Sequence, residues 1–461
     1  MPVNAALMEE RVKRWFTSAD ANVPAEQYAS YIERHKRWNF TVNALDITFF
    51  NLGMSFIYST TVLSLYTSYL TTSAVLIGLI PAIQSVSFFW PQLITARHIQ
   101  RLPRKRPFMV KFGLLERLPY LFIALVALLW PGAPSSFAYG VLAISLLLAS
   151  TCGGLGAPAW QSMVAKVVPV TLRGRMFGLS SALGGLLGLG GAALSRQILA
   201  QLPFPTSFGY CFLLCFVSLM ISYLGVLLNR EPPRESPELA PTAAAYWRSL
   251  PALLRQNPNL MRFLVARALM ILGGMAATFY VIYGRARFGI SDQFAATLTI
   301  VALASQTVGT PLMGLLADRS GNKALLELGG VCAALSALLG LLMPSADWLY
   351  GIFVLLNLAN ATNMIAGQSI PMEFGTPETL PVITALISTS LALPLLLAPI
   401  IGGWLADVAG YRALFSIALG VMLCGLALMR LGVRDPRHLP PMPSAMVESS
   451  AGSSAERASV Q

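Results

Sequence analysis

Twelve apolar runs of about 20 residues or more dictate what this chain can become. They lie at roughly 41–67, 74–96, 108–130, 135–158, 175–199, 206–229, 260–284, 293–317, 324–343, 348–372, 382–407 and 411–433. A helix of ~20 residues reaches across a ~30 Å hydrocarbon layer. Inside that layer the backbone must satisfy its own polar groups, which a helix does within one segment. The loops between runs are short, so consecutive helices are antiparallel neighbours. Composition agrees: 55% of the 461 residues are hydrophobic and 11% charged, where soluble domains carry about 25% charged residues. The expected fold class is all-α, a polytopic membrane protein with twelve transmembrane helices.

The pattern breaks once in the middle. Residues 230–259 open with Arg-Glu-Pro-Pro-Arg-Glu-Ser-Pro-Glu and include a weakly helical Tyr246–Arg255; clustered Pro and charge mark a linker. The expected organisation is therefore an N-terminal cytoplasmic segment (1–40), a six-helix bundle (41–229), a cytoplasmic linker (230–259), a second six-helix bundle (260–433) and a disordered, Pro/Ser/Ala-rich tail (434–461). Halves of equal span number suggest an internal repeat, with Leu315-Leu316 set against Leu93-Ile94. Two readings stand for Ala25–Trp38: an amphipathic helix on the membrane surface with Tyr28, Tyr31 and Trp38 among the headgroups, or a partly ordered tail.

The net charge of +12 does not call for nucleic acid. Arg97, Arg101, Arg104, Lys105 and Arg106 follow span two; Lys166, Arg173 and Arg175 follow span four; Arg230, Arg234, Arg248 and Arg255 lie in the linker; Arg319 and Lys323 follow span eight. The intervening loops are nearly bare apart from Arg285, Arg287 and Arg412, and the loop after span ten carries Glu373 and Glu378 without a Lys or Arg. Positive-inside counting puts both termini in the cytoplasm of a multi-pass protein in the plasma (inner) membrane. The first 40 residues lack the apolar core and cleavage site of a signal peptide. The cysteines (Cys152, Cys211, Cys215, Cys332, Cys424) sit in apolar segments, and His35, His98 and His438 are isolated, so no metal site is expected.

Between spans eight and nine runs Gly314-Leu-Leu-Ala-Asp-Arg-Ser-Gly-Asn-Lys323. This G-x-L-x-D-R-x-G-x-K pattern resembles the loop between the second and third helices of each half of a major facilitator superfamily transporter, a resemblance covering residues 41 to 433. It implies two six-helix bundles around a central cavity. It also implies that Asp318 interacts with the start of the eleventh helix and nearby basic groups to hold the cytoplasmic gate shut, with Arg319 and Lys323 as boundary cations. Gly314 and Gly321 would permit close helix approach and a tight turn. The first-half counterpart, Leu93 to Arg106, keeps the basic cluster but has no acidic residue, so its latch must differ. Pro169-Val-Thr-Leu-Arg-Gly-Arg175, with Arg173 and Arg175, resembles another family loop, as does Pro399-Ile-Ile-Gly-Gly403 followed by Asp407 and Gly410 in span eleven. Span five is glycine-rich but lacks the Gly-Pro pair of the family's antiporters.

Ionisable residues in hydrocarbon are costly and mark function or a structural pairing. Asp46 lies about 8 Å into span one; it is a candidate for proton or cation binding, or a partner for a boundary Arg. Glu116 and Arg117, one residue apart, point about 100° from each other and so are not expected to pair simply together; Glu116 is a coupling candidate or part of an ion pair with another helix. In span seven Arg267, Tyr280 and Tyr283 are cavity candidates that share a face only if Gly273-Gly274 bends the helix, and the tyrosines are preferred. In span ten Asn357, Asn360 and Asn363 form a polar stripe that suits a polar substrate or helix–helix hydrogen bonds. Trp160 in span four reads as an interfacial anchor.

No phosphate loop, D-x-x-x-D motif or His–Asp pair is present, so neither an enzyme nor a bound cofactor is expected. The reading is a monomeric permease, in contact with membrane lipid, that moves a small-molecule substrate by alternating access. Proton-coupled efflux of an amphipathic compound comes first, with a sugar or organic-anion permease as the alternative and a transporter-like receptor or scaffold as the alternative of another class.

Overall fold

The computed structural model describes residues 25–233, 257–374 and 380–438. The N-terminal 1–24, the Tyr246–Arg255 segment with Arg248, Glu378 and the tail from 439 lie outside the described residues. Every regular element described is helical. We number them by span: α1 is Ala25–Phe56 continued by Ser59–Leu63 and Ser64–Leu70, α2 Ala74–Arg101, α3 Arg106–Leu129, α4 Ser135–Val167, α5 Val170–Gln201, α6 Thr206–Leu228. The second half has α7 (Pro258–Gly273, then Gly274–Phe279 and Tyr280–Phe288), α8 (Asp292–Ser320), α9 (Asn322–Leu342) and α10 (Trp348–Phe374). Leu380–Ala427 is one helical stretch broken at Gly410, where φ is +81°. It therefore holds two spans, α11 (380–409) and α12 (411–427), and twelve spans result among the described residues.

Local chemistry sets the ends. Asn257 and Ser291 accept hydrogen bonds from the backbone N–H of Leu260 (3.0 Å) and Phe294 (3.1 Å) at the starts of α7 and α8. Pro134 and Pro169 stand immediately before α4 and α5, where a missing N–H costs nothing. Gly289 and Gly321 take positive φ at the ends of α7 and α8, conformations that other residues reach only with strain. Residues 25–38 are helical and continue into the first span without a break, so they are the start of α1 and not a separate surface helix.

Within the first half α1 packs on α5 and α6, and α4 on α2 and α3; in the second, α7 packs on the α11–α12 stretch, and α10 on α8 and α9. The halves meet most broadly between α2 and α11 and between α5 and α8, and the last stretch of α1 (59–70) also meets α7 and α8. The chain leaves α6 well anchored. Arg230 N–H donates to Asn39 Oδ1 (3.0 Å), and buried Glu231 accepts from the backbone N–H of Lys105 and Arg106 (each 2.8 Å) and from Lys166 Nζ (3.1 Å). One Glu thus caps α3 and neutralises α4's terminal Lys. We call this the linker end of the bundle, and the end carrying residues 71–73 and 289–291 the far end.

Candidate functional site

A buried charge cluster sits inside the first half. Asp46 on α1 accepts hydrogen bonds from Ser222 Oγ (2.6 Å) on α6 and from Trp160 Nε1 (2.8 Å) on α4. Arg117 on α3 approaches the same carboxylate at 3.7 Å and donates to Glu116 Oε2 at 3.1 Å. Its other N–H groups reach the carbonyls of Leu219 and Gly113 and the Ser222 hydroxyl at 2.8–2.9 Å. Small residues make the room: a β-carbon on Gly225 would strike Asp46 and the Val42 carbonyl, and one on Gly153 would lie 2.8 Å from Glu116.

Glu116 and Arg117 therefore do pair, against the sequence expectation. The guanidinium is long enough to sweep the angle separating their Cα–Cβ directions. Arg117 also bridges to Asp46 on another helix, so the basic partner of Asp46 lies inside span three rather than at a boundary. Trp160 is a hydrogen-bond donor to Asp46, not a headgroup anchor. Beside the cluster is a cavity of about 240 Å³ lined by Asp46, Phe50, Asn51, Phe88, Glu116 and Trp160, among others. The two carboxylates face it unequally, with the Asp46 side chain 6% exposed and Glu116 20%.

The second half presents a polar wall. Arg267 on α7 is 9% exposed and reaches across to α10, where its Nη1 donates to Asn363 Oδ1 at 2.9 Å. Asn360 and Asn363 are exposed, one turn apart on α10. Gln306 on α8 reaches the Met364 sulfur at 3.1 Å. The tyrosines preferred from sequence are elsewhere. Tyr280 is 1% exposed, stacks on Phe415 at 5.1 Å and shares a hydrogen bond with Ser336 (3.4 Å). Tyr283 packs against Phe415 and Tyr411 and accepts from Arg287. The helix does change at Gly274, into a 3-10 segment, yet this leaves the tyrosines in the core and Arg267 alone toward α10. Asn357 is also withdrawn, 2% exposed, and accepts from the Tyr58 hydroxyl of the other half at 2.7 Å.

Among the described residues, every hydrogen bond joining the halves lies toward the far end. Besides Tyr58–Asn357 these are Thr61–Thr299 (2.6 Å), Arg196 to Thr297 (3.0 Å), and Tyr69 to both oxygens of Asp292 (2.8 and 2.9 Å). Arg285 covers the Tyr69 ring at 3.8 Å. The most telling is Asp407. This α11 carboxylate accepts the backbone N–H of Ala74 (2.7 Å) and Val75 (3.1 Å) and the Ser73 hydroxyl (3.0 Å), capping the first turn of α2 across the interface. Negative charge at a helix N-terminus is stabilising. The approach depends on glycine: a β-carbon on Gly78 would overlap the Pro399 carbonyl, and one on Gly403 the Ala74 carbonyl.

The linker end differs. Asp318 and Arg319 are exposed, and Asp318 makes no hydrogen bond or ion pair among the described residues. α8, which carries it, packs chiefly on α5 in the other half. Lys323 pairs with Glu327 at 3.1 Å. Arg173 ties to the carbonyls of Val168 and Ala165, while Arg175 is exposed. Gly321 makes the expected tight turn at φ +89°, but Gly314 faces open space, with nothing within 4 Å of a β-carbon there. Asp407, Tyr58, Asp292 and Glu231 are the structural residues sequence reasoning passed over. Asp407 lay in the quoted span-eleven pattern; its one signal was a carboxylate just before a glycine at a span end.

Two helical bundles joined by few interface pairs, bonded at one end and enclosing polar side chains at membrane depth, define the architecture of a secondary transporter. The chain belongs to the Major Facilitator Superfamily, whose family model matches residues 45–305 and again 268–455. Among solved structures it is similar to a mutant of the nucleoside transporter NupG (12% identity, TM-score 0.66, covering 85% of this chain and 99% of that one). It is similar also to a D-xylose-proton symporter (15%, 0.66, 87% and 99%) and to the human organic anion transporter MFSD10 (16%, 0.58, 86% and 99%). At such identities the likeness is one of fold. No curated protein sequence matches.

Proposed function

We propose that this chain is a proton-coupled permease for a small solute, with Glu116 as the group that loads and unloads the proton. The observation that carries this reading is the Asp46–Arg117–Glu116 cluster: two buried carboxylates share one guanidinium, so one negative charge has no cation. An unpaired charge in a low-dielectric interior is costly, and a proton relieves it. Asp46 is held by three partners and acts as the fixed counter-ion; Glu116 has one partner and faces the cavity. Proton-driven export of an amphipathic compound suits the mixed apolar and aromatic cavity lining, and the termini and linker end face the cytoplasm of a plasma membrane by the loop charges. The solute enters between the halves, which rock about it while Asp318 and Asp407 latch opposite ends in turn. A sugar or organic-anion permease is the second reading, favoured by the polar wall of Arg267, Asn360 and Asn363.

The test uses purified protein in proteoliposomes with a solute found by thermal-shift screening of sugars, amino acids, organic anions and lipophilic cations at two pH values. A one-unit pH gradient supplies 1.36 kcal/mol per proton, enough for about tenfold accumulation at one-to-one coupling. Glu116→Gln is expected to abolish gradient-driven accumulation while leaving solute exchange at equal concentrations intact. Accumulation undiminished in that variant would remove Glu116 from coupling.

A further inference from the structure

We infer that Arg267 anchors a small organic anion, a carboxylate or a phosphate monoester, on its Nε–Nη2 edge beside the exposed amides of α10. This deepens the reading of a solute path between the halves and rests on it. The contrast with other basic groups at depth carries the inference. Arg117 faces two carboxylates, and Lys166 at the linker end has Glu231. Arg267 is as enclosed as these, yet its sole bond among the described residues is to a neutral amide, through Nη1 alone. Its Nε and Nη2 have no protein acceptor, and neither is sealed from solvent.

A buried guanidinium without an anion is an expense that a structural role does not explain, since burial of an unpaired charge destabilises the fold. The open edge is also the chemically telling one. Nε–H and Nη2–H lie parallel and coplanar, which matches two oxygens of a carboxylate or phosphate. Asn363 holds the fork from behind: with its Oδ1 occupied by Arg267, its amide N–H group is left as a donor, and exposed Asn360 supplies another one turn away. All of these groups donate. None offers the carboxylate that a cationic solute would need, because Asp46 and Glu116 belong to the other half.

The experiment measures thermal stabilisation of the purified full chain at constant ionic strength, by benzoate and phenyl phosphate against the neutral isostere benzamide. The wild-type protein is expected to be stabilised by one or both anions and not by benzamide. Arg267→Gln is expected to weaken anion binding at least tenfold. Arg267→Lys keeps the charge, and with it the fold should Gln fail to fold. It is expected to recover only part of the affinity, because an ammonium cannot present two parallel N–H bonds. Anion affinity unchanged in both variants, benzamide binding as tightly as benzoate, or no stabilisation by either anion would each overturn the anchor. Glu116→Gln, run in parallel, separates the two readings: loss of proton-driven accumulation with Arg267-dependent anion binding intact, or the reverse, tells which has failed.

Discussion

Arg117 sits where three helices and two carboxylates converge, and its removal is the sharpest residue-level test of the cluster. Taking away one partner of a buried ionic group costs about 3–5 kcal/mol, because the charges left behind lose their compensation. Arg117→Met is therefore expected to lower the melting temperature of the purified protein severely. Adding Asp46→Asn and Glu116→Gln to that variant should recover much of the loss, since the stranded charges go with it; a triple variant no more stable than the single one would contradict the charge balance drawn here. The sequence made Asp46, Glu116 and Arg267 conspicuous because ionisable residues are rare in apolar runs. It did not reveal which of them meet. Angular spacing on one helix said that Glu116 and Arg117 diverge, but a long guanidinium erases that angle, and Ser222 and Trp160 are too ordinary in a span to announce themselves. Tyr280 and Tyr283 erred in the other direction: an aromatic on a helix expected to line the cavity turned out to pack on Phe415 inside its own half.

At the scale of elements, the helices were legible almost throughout, because each had to be apolar and about 20 residues long. Gly410 explains why α11 and α12 read as two runs while their helical backbone is nearly continuous. What the apolar pattern hid was the contact between α2 and α11, which depends on the absence of side chains at Gly78 and Gly403 and on one carboxylate capping a helix in the other half. Gly403→Val is expected to force these helices apart and favour the form open at the far end. Asp407→Ala removes the cap, worth about 1–2 kcal/mol, or a 5–30-fold shift in population. A cysteine placed at Ser59, an exposed residue in the break of α1, reports the change. Its labelling by a membrane-impermeant maleimide from the far side should quicken in both variants, and equal rates in wild type and variants would remove α2–α11 as a gate.

For the whole molecule, among the described residues, the bonds between halves gather at one end while Asp318 at the other has no bonded partner, as expected of one endpoint of a two-state cycle. The twelve-span plan and the two-half organisation followed from hydrophobic length and from the central break. Which end is closed could not be read from sequence, since it depends on a balance of contacts between halves distant along the chain. The most direct measurement is of two distances in the reconstituted protein by spin labels, one pair at Ser136 and Asp347 across the far end, the other at Thr171 and Ser320 across the linker end, all exposed positions. In the wild type the far-end pair should report the closed arrangement. Asp407→Ala should add a population in which the far-end distance lengthens as the linker-end distance shortens. Distances that stay fixed at both ends, or that lengthen together, would contradict alternating access by rocking of the two halves.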